Sequence, residues 1–407
     1  MKCRHCSHSI EHTFLDLGYA PPSNAYLNAE DMTHSETYYP LRVMVCSQCF
    51  LVQTEDHAEA EALFDSDYAY FSSTSKSWLA HSAAYSKMII DRLHLKSDSL
   101  VVELASNDGY LLKNFVGANI PCLGIEPTRS TADAAEALGI PVLRQFFTRK
   151  LGEELSQRGQ QADLIIGNNV YAHVPDINDF TSGMKAILKH DGVITLEFPH
   201  LMRLVEKRQF DTIYHEHFSY LSFAAVSRIF AKSGLRIFDV EELPTHGGSL
   251  RVYGCHVEAP FSKSKMAQAL EAEEFRRGMG EMEYYRGFQA TAVAIKNQLL
   301  RFLLDAAAQG KKIAAYGAAA KGNTLLNFAG IRPDLLPVVY DAAPSKIGRF
   351  MPGSHIPILS PDLLERNPPD FLLILPWNIA DEIRQQTREL AKRGMQYVTA
   401  IPQLEVS

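Results

Sequence analysis

No apolar run in this 407-residue chain approaches the ~20 residues that a helix needs to cross a bilayer, which argues against a membrane-spanning protein. The start, Met1-Lys2-Cys3-Arg4-His5-Cys6, lacks the apolar core of a secretory signal, so the expected compartment is the cytoplasm. Positive charge is short as well. Lys and Arg number 40 against 47 Asp and Glu, a net charge of −7, and a general nucleic-acid binder needs clustered cations for its phosphate contacts. A small anionic ligand held by local dipoles remains compatible with that balance. Two motifs are missing too. No strand-and-turn carries G-x-G-x-x-G, the dinucleotide fingerprint. The run His215-Glu216-His217 is not a metalloprotease helix, because His-Glu-x-x-His requires a histidine where Ser219 stands.

What is present describes a soluble globular protein, with 46% hydrophobic and 21% charged residues and a length that calls for two or three domains. Of six cysteines, four are paired by spacing as Cys3-x-x-Cys6 and Cys46-x-x-Cys49. Two such knuckles bring four thiolates to a tetrahedron, the geometry of a structural zinc site. The stretch between them is longer than usual, and Leu15–Gly18 and Leu41–Val45 read as short strands framing an insertion. Free thiols or disulfides are the alternatives, the latter disfavoured in a reducing cytoplasm, and His5, His8 and His12 are competing ligands. Cys122 and Cys255 lie in apolar, strand-like contexts and read as buried.

Residues 55–98 read as helical, interrupted by the aromatic-hydroxyl run from Tyr68 to Ser75, which suits either packing or a cover over a ligand. A doubly wound unit follows: a strand Ser99–Leu104, a turn Ala105-Ser106-Asn107-Asp108-Gly109, a helix from Tyr110, and a strand Cys122–Glu126 ahead of Pro127. That order sets the turn residues Ala105, Asn107 and Gly109, with Tyr110, against one end of a cofactor, and Glu126 against its ribose hydroxyls. The strands Ala162–Asn169 and Gly192–Glu197 open their loops on the same carboxyl edge, bringing Asn168, Asn169 and His173 there. Glu103, ending the first strand, would repel a pyrophosphate but suit a sulfonium, which points to S-adenosylmethionine.

The densest chemistry is Tyr214-His215-Glu216-His217, a phenol, two imidazoles and a carboxylate in four residues. A polar run between apolar segments is often a solvated loop, but these groups also offer a proton acceptor, a donor and an orienting carboxylate. Phe223–Lys232 is then helical, and Leu235–Val240 pairs antiparallel with Ser249–Gly254 around the turn Thr245-His246-Gly247-Gly248, whose glycines allow close approach to a ligand at His246. Residues 262–308 read as one long helical stretch between domains. A second doubly wound unit begins at Lys312–Gly317, with a phosphate-style turn Ala318–Asn323 containing Lys321 and Asn323, an acid at Asp341, and Pro376-Trp377-Asn378 after the strand Phe371–Leu375. Its helix start with Lys321 could hold a diphosphate and Trp377 could stack on a ring, or the unit is a worn Rossmann fold kept for packing.

Taken together, the ordered motifs resemble the sugar C-methyltransferase family, which adds a methyl group to a ring carbon of nucleotide-linked deoxyketosugars. The match covers nearly the whole chain: the paired C-x-x-C knuckles, VVELASNDGYLL (101–112), NNVYAHV (168–174), YHEHFSYLS (214–222), THGGSLRVYG (245–254), YGAAAKGN (316–323) and LPWN (375–378). The resemblance implies His217 as the base, with Tyr214, Glu216, His173 and Tyr68 lining the sugar, Tyr70 being the alternative to Tyr68. It also implies an α/β architecture in four parts. These are a zinc-binding domain (1–75), a class I methyltransferase domain (76–258), a helical linker (259–309) and a second Rossmann-like domain (310–407) that helps hold a nucleotide sugar. The expected chain is a monomer or weak homo-oligomer. Three rivals stand: a nicotinamide-dependent nucleotide-sugar oxidoreductase or epimerase with Asp341 on the ribose, an oxygen or nitrogen methyltransferase, and a zinc-ribbon binding protein with inactive domains.

Overall fold

In the structure, a computed structural model that describes residues 1–55 and 71–407, three sheets follow one another. The first is antiparallel, in the order β1 (His12–Ala20), β2 (Tyr39–Val45), β3 (Val52–Thr54), β9 (Ser219–Tyr220). Its last strand belongs to the chain just after the His-Glu-His run, with Val52 opposite Tyr220 and Gln53 opposite Ser219. The N-terminal sheet is thereby closed by the segment that carries the densest chemistry.

The second sheet has seven strands in the order β10 (Leu235–Leu243), β11 (Ser249–His256), β8 (Leu188–Pro199), β7 (Ala162–Asn168), β4 (Val101–Leu104), β5 (Cys122–Ile125), β6 (Val142–Leu143). The five from β8 to β6 are parallel, and β11 and β10 add an antiparallel hairpin at one edge. All four residues of β4 are buried, as a strand covered by helices on both faces requires. The order reverses between β5 and β7 around β4, so the crevice for a ligand opens at the carboxyl ends of β4 and β7. The third sheet, β14 (Ile358–Leu359), β13 (Val339–Tyr340), β12 (Ile313–Tyr316), β15 (Phe371–Ile374), β16 (Gln396–Thr399), β17 (Glu405–Val406), is parallel up to β16 and turns at β12.

Two helical expectations change. The helix expected from Tyr110 starts at Lys113, because Asn107 (φ +49°) and Gly109 (φ +75°) hold the preceding turn in left-handed conformations that a helix cannot continue. The stretch 262–308 is two helices, Lys265–Arg276 and Phe288–Ala308, parted at Gly278 and Gly287 (φ +83° and +85°). The second helix is buried along Ala292, Ile295, Leu299 and Leu303, stacks Phe288 on Phe14 of the first sheet (ring centroids 4.8 Å) and sets Phe302 edge-on to Phe371 of the third (5.0 Å). One hydrophobic core accordingly runs from Cys3 to Ile401 through all three units. Of the stretch read as helical at 55–98, the described part is the helix Lys76–Leu93, capped by Ser75. No helix among the described residues is long and apolar enough to cross a membrane.

Candidate active site

The four paired cysteines converge. Their Sγ atoms all lie within 4.8 Å of one another, with Cys3–Cys49 and Cys6–Cys46 at 3.5 Å. Zinc–sulfur bonds of ~2.3 Å put tetrahedral sulfurs about 3.8 Å apart, so this soft, buried donor set fits the metal. Both knuckles close alike: Ser7 N–H donates to Cys3 O (2.9 Å) and Phe50 N–H to Cys46 O (2.8 Å), each from a left-handed residue (φ +62° and +58°). The competing histidines are not ligands here. His5 is hydrogen-bonded to Asn178 (2.8 Å), and His8 and His12 are exposed.

At the crevice of the second sheet, three acids meet. Glu103 is buried, and its Oε2 has no hydrogen-bond partner. Burial, then the charges of Glu126 and Asp108, push its carboxyl well above the usual range. A buried acid with one oxygen unpartnered, beside two others, is unfavourable by itself and is relieved by a cation. The sulfonium and ammonium of S-adenosylmethionine are such cations. Glu126 accepts backbone N–H groups from Asn107 (2.9 Å) and Thr128 (2.9 Å), one on each oxygen, which fixes the turn and still leaves acceptor sites on the carboxylate. Ala105 (φ +55°) and Gly109 bend the turn tightly, and a Cβ at Gly109 would lie 2.4 Å from Ile140 Cδ1. Tyr110 is buried behind it, Pro127 follows Glu126, and Asn168 ends β7 with both amide atoms buried and unpartnered. Replacement of Glu126 by Ala is expected to weaken S-adenosylmethionine binding by about 2 kcal/mol or more, the scale of lost charge-assisted hydrogen bonds. Titration calorimetry measures it, and unchanged affinity in a folded variant would place the cofactor elsewhere.

Across the crevice lies the loop from Phe210 to Phe218. His217 is 7% exposed, and its Nδ1–H donates to Thr212 O (3.1 Å), which leaves Nε2 as the acceptor nitrogen. Burial, then the neighbouring His173, keep this imidazole neutral well below its usual titration range. Tyr214 packs on it (ring centroids 4.0 Å) and His173 stands edge-on (4.6 Å). Burial brings His173 down to about 4, so it too is neutral, and its Nδ1–H is engaged by Glu216 O (2.7 Å). One expectation changes at this point. Glu216 supports the pair through its backbone carbonyl, while its carboxyl group turns to Asn24 Nδ2 (3.1 Å) and burial raises its titration. His215 is buried, with its ring edge-on to Tyr39 (6.0 Å). Tyr68 and Tyr70 lie outside the described residues.

The third unit supplies the far wall, in a different way from that expected. Ala318 N–H, in the phosphate-style turn, donates to Asp341 Oδ2 (2.7 Å), and Ala318 O accepts from Tyr26 (2.6 Å) and Lys346 (2.7 Å). That carboxylate takes an N–H that a phosphate would otherwise accept, and Lys346 Nζ lies 3.9 Å from its Oδ2. Asn323 is buried and donates to Ser23 O (2.6 Å), tying this unit to the first. Trp377 is not a free stacking face: Lys321 Nζ sits over its ring (4.6 Å to the centroid) and its Nε1–H donates to Asp211 (2.7 Å). Lys321 Nζ donates to Asn378 Oδ1 (2.6 Å). His246 lies near Asn169 Nδ2 (3.3 Å) on the same side, brought there by the left-handed turn His246-Gly247-Gly248 (φ +52°, +87°, +133°).

Several groups here were not singled out from sequence. Asn24 and Tyr26, from the insertion between the knuckles, reach Glu216 and Ala318, and no spacing rule announces such a reach. Glu197, two residues before the end of β8, is buried. Burial pushes its carboxyl up, but His81 Nε2 (2.9 Å) and Arg251 (Nε 2.7 Å) outweigh that and hold it below the usual range. His81 stacks on Trp78 (4.9 Å), whose edge meets His246 (5.6 Å). Glu197 was legible only as a strand end, and its pairing with Arg251 follows from strand register.

Comparison with known proteins agrees along the whole length. Residues 3–64 match a zinc binding domain family, 79–240 a methyltransferase domain family and 244–402 a C-methyltransferase C-terminal domain family. The C-methyltransferase NovU of Streptomyces niveus is 34% identical over 405 residues, covering 100% of this chain and 96% of NovU. Among solved structures, the magnesium protoporphyrin IX methyltransferase ChlM of Synechocystis, with bound S-adenosylmethionine, is 15% identical, covering 44% of this chain and 81% of its own, with a TM-score of 0.33. The YcgJ protein of Bacillus subtilis is 12% identical, covering 44% and 100%, with a TM-score of 0.35.

Proposed function

The chain belongs to the family of S-adenosylmethionine-dependent C-methyltransferases, with a structural zinc site in its first unit, and from that premise we propose that it methylates a ring carbon, C3, of a 4-keto nucleotide-linked deoxysugar through a base-generated enolate. The observation that carries this reading is the tautomer of His217. Its Nδ1–H is fixed on Thr212 O, and it is neutral and nearly buried with Nε2 left to accept a proton. An oxygen nucleophile needs little more than a weak base, whereas a carbon beside a ketone is a poor acid. Its proton leaves only when a base is held against it while the oxygen is stabilised.

In the proposed step, His217 Nε2 takes the proton, the C–H electron pair forms the C=C bond of the enolate, and the carbonyl π pair moves to oxygen. S-adenosylmethionine, when bound, supplies the electrophilic methyl group that this carbon then takes. Tyr214 offers a hydroxyl to the oxygen, and the three units around the cleft exclude water and hold the partners in line.

A panel of 4-keto nucleotide sugars mixed with protein and S-adenosylmethionine tests the proposal. A product heavier by one methyl group, with one ring-carbon proton lost in the proton spectrum, is the expected result. A product whose ring carbons keep all their protons would mean oxygen methylation, and would overturn it.

A further inference from the structure

Beside the Tyr214 hydroxyl, the oxyanion in that reaction calls for a further donor, and the neutral His217 and His173 both have an N–H directed to a backbone carbonyl. Lys321 is the cation at this place. Lys321 is half-buried and Asn378, which accepts from its ammonium, is exposed. No carboxylate among the described residues forms an ion pair with it at salt-bridge distance, and one of its three N–H groups is taken by the Asn378 amide. A desolvated cation of this kind is unfavourable for folding, and such groups concentrate where charge develops during a reaction. Its helix, Ala320–Ala329, is bolted to the catalytic loop: Thr324 Oγ1 donates to Ile213 O (2.7 Å), four residues before His217. Asp211, fully buried on the same loop, anchors Trp377, and Trp377 lies under Lys321. Oδ1 of Asp211 is buried without a partner.

Resting on the function proposed above, we propose that Lys321 is a catalytic residue whose ammonium stabilises the enolate oxygen, with Asp211, through Trp377, as the residue that positions it. The diphosphate role expected from sequence then falls away, in keeping with the carboxylate of Asp341 on the adjoining turn. The groups that bear on Lys321 are Asp211 from the catalytic loop and the imidazoles of His217 and His246. Burial lowers the ammonium's titration, and Asp211 opposes that. Replacing Asp211 by Asn keeps an acceptor for the indole but removes the charge, so Lys321 loses its proton at lower pH.

The test uses the full-length protein with S-adenosylhomocysteine and a saturating 4-keto nucleotide sugar in deuterated water, reading deuterium entry beside the ketone. Uridine and thymidine diphosphate serve as probes of diphosphate affinity. Lys321→Met is expected to slow saturated exchange about 100-fold, the range for losing one oxyanion donor, while either diphosphate binds within about twofold of its wild-type affinity. Lys321→Arg should recover part of the rate. Saturated exchange in Lys321→Met that stays within about twofold of wild type overturns the proposal, whatever happens to affinity. For Asp211→Asn, the alkaline limb of the exchange rate should move to lower pH, which a purely structural role would not produce. An unmoved limb in that folded variant overturns the positioning role. Wild-type protein that neither exchanges nor methylates any ketosugar would instead sink the function on which the inference rests, so the two failures are told apart.

Discussion

Protein carrying His217→Asn is expected to bind S-adenosylmethionine normally and to transfer methyl at least ~100-fold more slowly, the lower range for losing a general base. The substitution is a narrow one. The Asn amide N–H can still reach Thr212 O, where Nδ1–H donates in the parent (3.1 Å), so the loop keeps that tie and only the Nε2 acceptor is lost. Deuterium entry with the demethylated cofactor should vanish with the methyl transfer, because both need the same proton removed. The pH dependence has a defined sign. The folded imidazole titrates well below the usual value near 6.5, so the neutral base is present throughout the neutral range and is lost only as pH falls through that depressed value. The acid limb of the wild-type rate should accordingly lie below the usual imidazole range. Tyr214→Phe should slow the reaction less, since it removes one donor to the oxygen and leaves the base. A fully active His217→Asn enzyme would move the base to His173, whose ring stands 4.6 Å away with its own Nε2 as acceptor.

Much of this cleft was legible because it lies at strand ends. Buried strands announce themselves as unbroken apolar runs, and their carboxyl ends in a parallel sheet converge wherever the order reverses. Glu103, Glu126, Asn168 and the loop of His173 are all of this kind. The helix Phe223–Lys232 was readable to the residue, since Ser222 caps it and its apolar face is regular. What escaped was contact between units. Nothing in the spacing of Asn24 tells that it meets Glu216, or that β3 pairs with a strand some 165 residues away. The turn Ala318–Asn323 shows a related contact that its spacing does not announce. Small residues before a helix suit a phosphate, but an acid from the next strand, Asp341, already accepts the N–H that a phosphate would take. Glu126 does the same to Asn107 in the second unit, and there the ligand carries no diphosphate, so the arrangement is compatible. Side-chain direction decides between these readings, and sequence does not carry it.

Loss of the metal should disable the enzyme through His217, although the two sites share no ligand. Structural zinc held by four thiolates has no open coordination position for catalysis and contributes on the order of 10 kcal/mol to folding its domain. β3 follows the second knuckle directly, with Cys46 N–H donating to Leu51 O (3.1 Å). Gln53 of that strand donates to Cys3 Sγ (3.3 Å), and the next residue, Thr54, donates from its hydroxyl to the carbonyl of His217 itself (2.5 Å). Thr54 N–H also donates to Phe218 O (3.1 Å), so the backbone on both sides of the base's exit is held by a strand that the metal anchors. Replacing Cys46 by Ser should therefore abolish stoichiometric zinc and lower saturated deuterium exchange by at least ~100-fold, as for direct loss of the base. Affinity for S-adenosylmethionine should stay within about threefold, because Glu103, Glu126 and Asn168 stand at the ends of the second sheet's own strands. Metal analysis, the exchange assay and calorimetry on one preparation read all three. Zinc retained in full after Cys3, Cys6, Cys46 and Cys49 are all replaced by Ser would remove the site from these cysteines, and a metal-free protein with full exchange would show that β3 holds the loop without it.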